Sequence, residues 1–167
     1  MAIKHAFTSA KEDGADATLV RPSDWNAEHT GIKIVRKTAD ETVNNSAVLQ
    51  NDDHLFFSVG ANEVWILYGT LRASVLAAND IKIAFTMPTG GEAVYYSLSS
   101  GGIWVVSPNA HETLIPGDRT DMTLYLGGIV YNGATAGNIQ MQWAQVTASV
   151  ADTILKINST LIAFRVV

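Results

Sequence analysis

The chain has 167 residues, enough to bury a hydrophobic core within one domain. It contains no cysteine, which excludes disulfide bonds, thiolate metal sites and cysteine nucleophiles. The net charge of -5 and the lack of an apolar run approaching ~18 residues predict neither a nucleic-acid nor a membrane partner. Only 16% of the residues are charged, against roughly 25% in ordinary soluble domains, so we expect part of the surface to be buried against other chains.

Residues 1–31 are predicted to form an extended N-terminal arm. The segment is dense in charge and in residues that favour turns, and it has neither strand alternation nor a long helical stripe. Ser23 or Asp24 is suited to cap a single helical turn. Trp25 is the expected apolar anchor of the arm.

Residues 32–167 are predicted to form an all-β body, an antiparallel β-sandwich or jelly roll. Apolar, β-branched and aromatic residues form roughly ten short runs, separated by Gly, Pro, Asn and Asp. No helical pattern separates the runs, which excludes a doubly wound α/β fold. The predicted strands are 32–36, 55–59, 64–75, 81–85, 94–98, 103–106, 122–131, 139–146, 153–157 and 161–167.

Two of these strands, 64–75 and 122–131, carry apolar residues on both faces. Antiparallel strands normally have one polar face. The second face is therefore expected to be covered either by a neighbouring sheet and loops or by another subunit. In the second case the interface residues are Val64, Ile66, Tyr68, Tyr125 and Ile129.

Candidate catalytic and metal-binding groups are few. Residues 52–54 (Asp-Asp-His) are suited to metal or acid–base chemistry, but a polar turn between strands is the favoured interpretation. No two histidines have metal-ligand spacing, and nucleophile-elbow, P-loop and dinucleotide-binding motifs are absent from the sequence. We therefore expect no enzymatic activity, no metal and no cofactor. Gly127 and Gly128, inside a strand, predict a bulge or a close approach of backbones.

The arm carries the motif that links this sequence to a known group of proteins. Residues 13–29, DGADATLVRPSDWNAEH, resemble the N-terminal segment of many tailed-bacteriophage virion proteins. Residues 133–145 and 159–166 are similar to a recurrent phage structural module, although Asn158 stands where that module often has Gly.

This resemblance implies a non-enzymatic virion protein, assembled in the cytoplasm of the host bacterium. One compact body after the arm favours a capsid decoration (cement) protein over a long fibre, and proteins of this kind imply a homotrimer. An arm with few apolar residues is expected to gain order when it docks on the major capsid protein or another virion protein. Its docking residues would be Leu19, Val20, Arg21, Pro22 and Trp25, with Trp25 entering a pocket of the partner and Arg21, together with Lys11, meeting acidic surface.

Two alternatives remain open at this stage. A tail or fibre module would bind a host receptor or glycan, and Tyr95, Tyr96 and Trp104 beside Gly-rich loops are the candidates for stacking on sugar rings. A virion-bound hydrolase would need an acid–base pair, for which Asp53 is the candidate.

Overall fold

Two antiparallel β-sheets pack as a sandwich, which confirms the predicted all-β fold class. The computed structural model describes residues 4–16, 18–75, 80–99, 102–106, 113–115 and 119–166, and the side chains of all of these except 99, 102–106, 113–115 and 119–120. Within these residues, no helix has the length and apolar character needed to cross a membrane.

A single-turn helix, α1 (Pro22–Asn26), precedes the strands in the described part of the chain. The strands are β1 (Ile32–Arg36), β2 (Glu41–Val43), β3 (Gln50–Val59), β4 (Val64–Val75), β5 (Ile81–Thr86), β6 (Glu92–Ser99), β7 (Gly102–Val106), β8 (Thr113–Ile115), β9 (Arg119–Tyr131), β10 (Gly137–Gln145), β11 (Thr153–Leu155) and β12 (Thr160–Arg165).

The larger sheet has eight strands, with the main order β1-β12-β4-β9-β6-β7. β11 pairs with β4 and with β2 beside this path. The smaller sheet has four strands in the order β3-β10-β5-β8. The long ladder of β4 and β9 runs through the middle of the larger sheet. A jelly-roll connectivity stays a prediction.

The core lies between the two sheets and follows from the alternation of side chains along each strand. In β4, every second residue from Trp65 to Leu71 points inward except at Gly69, which leaves room for Leu126 and Leu161. Burial of each large apolar side chain contributes roughly 1.5–3 kcal/mol, so this pattern accounts for much of the stability. Large fully buried side chains come from both sheets and include Trp65, Leu67, Leu124, Ile139, Met141 and Trp143.

The predicted polar turn at residues 52–54 is wrong, because these residues lie inside β3. Asp52 still makes a local turn contact: its Oδ1 accepts hydrogen bonds from the backbone N–H of His54 at 2.9 Å and of Leu55 at 2.8 Å. On the neighbouring strand the register shifts between Gln140 and Gln142. The turn chemistry therefore distorts the strand without ending it.

The glycine pair in β9 marks a close approach of backbones. The register between β4 and β9 is continuous across Gly127 and Gly128 and shifts instead between Ala73 and Val75. A Cβ added at Gly128 would lie 2.5 Å from the carbonyl oxygen of Val94. Glycine at this position therefore lets β6 and β9 pair without a steric clash.

Candidate interaction surfaces

The side of the larger sheet that faces away from the core is apolar over most of its width. Strand register aligns its residues in rows: Ile66 of β4 lies between Ile129 of β9 and Phe164 of β12. In the next row, Tyr68 lies between Gly127 and Ile162. We call this surface the outer face; its apolar residues are Ile32, Ile34, Val64, Ile66, Tyr68, Val94, Tyr96, Leu98, Tyr125, Ile129, Tyr131, Ile162 and Phe164.

All five residues predicted for a subunit interface lie on the outer face. Val64, Ile66 and Ile129 are half-buried, whereas Tyr68 and Tyr125 are 51% and 52% exposed. The outer face also includes residues of β1, β6 and β12, which the sequence interpretation did not place on the same surface. The outward positions of β6 (Val94, Tyr96, Leu98) alternate with inward ones, a pattern that was visible in the sequence.

The aromatic side chains make the outer face large. Tyr68 packs edge-on against Phe164, with ring centroids 6.3 Å apart. Aromatic side chains present ~150–250 Å² each, so the five half-exposed aromatic residues together expose about 450 Å². With the aliphatic residues, the outer face exceeds the ~300–600 Å² of the largest apolar patch on a typical monomer and approaches the ~800 Å² that one partner contributes to a stable interface.

Charged groups lie at the margins of the outer face. Arg72 pairs with Asp121 at 2.7 Å, and Arg165 pairs with Glu63 at 2.9 Å. An apolar centre bordered by charged groups is the usual arrangement of a protein–protein interface.

The arm departs from the expected extended chain, because it folds back on itself. The His5 ring stacks on the Trp25 ring, with centroids 3.9 Å apart and planes at 27°, and its Nδ1 lies 2.7 Å from the Trp25 carbonyl oxygen. The Trp25 indole N–H donates to the carbonyl oxygen of Phe7 at 3.1 Å. The backbone of Ser9 exchanges two hydrogen bonds with the Asn26 side chain. These contacts all join residues of the arm to one another.

The helical turn begins earlier than predicted, two residues before a Ser23 cap would place it and three before an Asp24 cap would. Arg21 occupies the cap position and Pro22 the first helical position, which suits the fixed φ of proline. Asp24 lies inside the helix, where its carboxylate accepts the backbone N–H of Arg21 at 3.0 Å. Ser23 donates its backbone N–H and hydroxyl to Asp13. The hydrogen bonds from the Ser23 hydroxyl and N–H lower the pKa of Asp13.

A shallow cavity of about 310 Å³ lies on the arm, and we call it the arm cavity. Four of the five predicted docking residues line it. The fifth, Leu19, is 64% exposed and is not among the lining residues. The lining consists of Phe7, Ser9, Val20, Arg21, Pro22 and Trp25.

Asp52 and His54 belong to a cluster of charged groups with Lys37 and Glu41. The ligand atoms of Glu41, Asp52 and His54 lie within 4.8 Å of one another. The ammonium group of Lys37 lies 2.6 Å from Asp52 Oδ2 and 2.9 Å from Glu41 Oε1, and thus supplies the positive charge that a metal ion would bring. This geometry indicates a structural ionic cluster.

Several donors hold the carboxylate of Glu41 in the cluster. Burial raises the pKa of Glu41, but hydrogen bonds from Lys37, the backbone N–H of Asp53 and the indole of Trp143 outweigh it and lower the pKa. Asp53, the residue considered for acid–base chemistry, is exposed and contributes its backbone N–H at 2.8 Å. The sequence interpretation missed Lys37 and Glu41, since their local pattern does not show burial.

The three residues considered for glycan contact lie in different environments. Tyr95 points into the core, where it packs edge-on against Phe85 at 5.2 Å and its hydroxyl lies 3.3 Å from the carbonyl oxygen of Ile83. Because it is only 6% exposed, its ring offers no surface to a sugar. Tyr96 is 43% exposed on the outer face. The Trp104 side chain lies outside the described residues.

No protein-family profile matches the chain, and no curated protein is significantly similar in sequence. Among solved structures, a tripod from the baseplate of bacteriophage Tuc2009 is 10% identical over 99% of this chain and 79% of its own, with a TM-score of 0.37. A structure of the infectious bursal disease virus Gt strain is 12% identical over 92% of this chain and 42% of its own (TM-score 0.25). The VP2 subviral particle of that virus is 11% identical over 92% and 45% (TM-score 0.23). TM-scores this low do not establish a shared fold, and they assign no function.

Proposed function

We propose that this protein is a non-enzymatic structural component of a tailed-bacteriophage virion, and within that class a capsid decoration (cement) protein. In this proposal the body forms a homotrimer through the outer face. The arm attaches each subunit to the major capsid protein or to another virion protein. The phage-like motif of residues 13–29 supports the virion assignment, and Trp25 of this motif takes part in the contacts that fold the arm.

The observation that carries the proposal is the outer face. Exposure of this surface to water is unfavourable in proportion to the apolar area of the surface. Association with another subunit removes that area from water and is therefore favourable. The exposed tyrosines suit an interface, because aromatic residues combine a large apolar area with one polar atom.

In this proposal the outer face holds the subunits together, and the arm attaches each subunit to the virion. A trimer brings three arms together, so that weak attachment by each arm adds up to stable attachment of the whole. The chemistry is physical association, and the charged cluster of Lys37 and Asp52 stabilises the body without a catalytic role.

The proposal is tested by the native mass of the full chain in solution, measured by light scattering. We expect three times the chain mass for the wild type and a monomer for Val94→Lys, which places a charge in the outer face. Val150→Lys is the matched control, because Val150 is 83% exposed in the loop between β10 and β11 and is not one of the outer-face residues. A monomeric wild type at micromolar concentration contradicts the proposal.

A second candidate function, a tail or fibre module that binds a host glycan, is favoured by the exposed ring of Tyr96. This function predicts saturable binding of the chain to host cells, weakened by Tyr96→Ala or Trp104→Ala. The decoration function predicts no saturable binding to host cells by the wild type.

A further inference from the structure

We propose that the arm receives a side chain from its virion partner: the arm cavity takes a large apolar side chain that stands beside a carboxylate. This inference rests on the proposed function and reverses the expected direction of the contact. Trp25 was predicted to enter a pocket of the partner. In the structure it is a wall of a cavity that the arm itself provides.

The contacts of Trp25 are the first step of the argument. One face of its ring is covered by His5, and its indole N–H is already bonded to the carbonyl oxygen of Phe7. To enter a partner as an anchor, Trp25 would have to give up both contacts. Its remaining surface, 43% of the residue, stays exposed and contributes to the cavity wall.

The second step is that the arm cavity is formed in the free chain. The two hydrogen bonds between Ser9 and Asn26, at 2.8 and 2.9 Å, fix the segment around Ser9 against the end of α1. Asp13 holds Ser23 on the other side of the same turn. A partner therefore meets a site that is already ordered, and little conformational entropy is lost on binding.

The third step is the chemistry of the lining. Phe7, Val20, Pro22 and Trp25 offer apolar surface, which selects an apolar side chain. Arg21 is the charged residue of the lining, and its Nε lies 3.4 Å from the carbonyl oxygen of Asp16, which keeps the guanidinium beside the cavity. Arginine pairs with carboxylates through two parallel hydrogen bonds, so the partner segment is acidic next to its apolar residue.

The test is a selection from a random-sequence peptide library displayed on yeast, with the immobilised full chain as bait. We expect enriched peptides to carry a Leu, Met, Phe or Trp adjacent to an Asp or Glu. An Arg21→Glu bait should select the same apolar residues beside Lys or Arg. Peptides selected on the wild type should bind Arg21→Glu at least about tenfold more weakly, as expected for a charge-assisted hydrogen bond.

Lys11→Glu is the matched control, because it makes the same change of charge on the arm at a residue outside the cavity lining. It should keep the wild-type preference, and the NMR signal of the Trp25 indole N–H should show that the arm of each variant stays folded. The absence of any enriched peptide, or an equal effect of the two charge reversals, overturns the inference. Light scattering on the same samples measures the native mass and so tests the proposed function separately, because the arm variants leave the outer face unchanged.

Discussion

Lys37 carries its positive charge into the interior of the sandwich, where it is fully buried. Its ammonium group contacts the carboxylates of Asp52 and Glu41, and Lys37→Met leaves both negative charges without their partner. We expect a loss of about 3–5 kcal/mol in the free energy of unfolding, measured by chemical denaturation. Lys11→Met, an exposed lysine of the arm, should change it by less than about 0.5 kcal/mol. A small effect of Lys37→Met would show that water reaches the cluster.

Glu63 makes the stability of the fold depend on pH. Burial raises its pKa, but hydrogen bonds from the backbone N–H of Gly60, the Arg165 guanidinium and the Trp65 indole outweigh it and lower the pKa. A lowered pKa means that the folded state favours the carboxylate. The resulting stabilisation is fully present above the unfolded value of about 4.3 and is lost as the pH falls through the folded value.

We therefore expect Glu63→Gln to reduce the free energy of unfolding at neutral pH and to flatten its decline in acid. The measurement is a denaturation series at several pH values for the wild type and the variant. The two curves should converge at the lowest pH, because both side chains are then neutral. Curves that stay parallel over the whole range would rule out this role for Glu63.

At the scale of the element, strands were predictable because alternation is a local signal. The runs at 32–36, 64–75 and 81–85 coincide closely with β1, β4 and β5. The three-residue strands β2 and β8 are too short to show a period, and they were missed. The first half of β3 was not predicted, because aspartate is a residue typical of turns. Asp52 does make a turn contact, but within the strand.

The fold of the arm and the charged cluster depend on pairs that are distant in sequence. His5 and Trp25 stack across twenty positions, and Lys37 meets Asp52 across fifteen. Neither pair has a periodic signature. The sequence therefore could not predict the shape of the arm or the composition of the charged cluster.

The pairing of β6 with β9 requires glycine at residue 128 more than at residue 127. An added Cβ at Gly128 would meet backbone atoms of β6 at 2.5–2.8 Å, whereas at Gly127 it would meet the far end of the half-exposed Tyr96 ring. Backbone cannot yield without a loss of strand pairing, but the Tyr96 ring can rotate into solvent.

We expect Gly128→Ala to lower the free energy of unfolding by about 1–3 kcal/mol, as overpacking usually does, and Gly127→Ala to have a clearly smaller effect. The two variants serve as controls for each other, because they make the same change at adjacent positions of β9. Denaturation is compared at one protein concentration, since association shifts apparent stability. Equal losses would mean that Tyr96 is held as firmly as the backbone.

At the scale of the whole molecule, the sequence indicated that β4 and β9 are apolar on both faces but not the extent of the outer face. Apolar residues on both faces of β4 and β9 left open whether a second sheet or a subunit covers them. Among the residues that the structure describes, the smaller sheet covers one face of the larger sheet, and the other face carries half-buried and exposed apolar residues. The strand register aligns the outer residues of β4 and β9 with residues of β1, β6 and β12. These strands are distant in sequence, so no local pattern predicts the alignment.

The proposed roles, subunit contact for the body and attachment for the arm, give a prediction for a chain that starts at Gly31. This truncation keeps the hydrogen bond from Arg165 N–H to the Gly31 carbonyl oxygen, at 2.8 Å, and leaves the outer face intact. Because the proposed subunit contact lies on the body, light scattering should give a trimer for both the full and the truncated chain. Peptide binding at the arm cavity should be lost with the arm.

A trimer of the full chain together with a monomer of the truncated one would reverse this assignment. The arm would then hold the subunits together, and the occupant of the arm cavity would be a segment of a sister chain. In that case the outer face would be the free surface. Attachment to the virion would then depend on Tyr68, Tyr96 and Tyr125, the exposed aromatic residues at its centre.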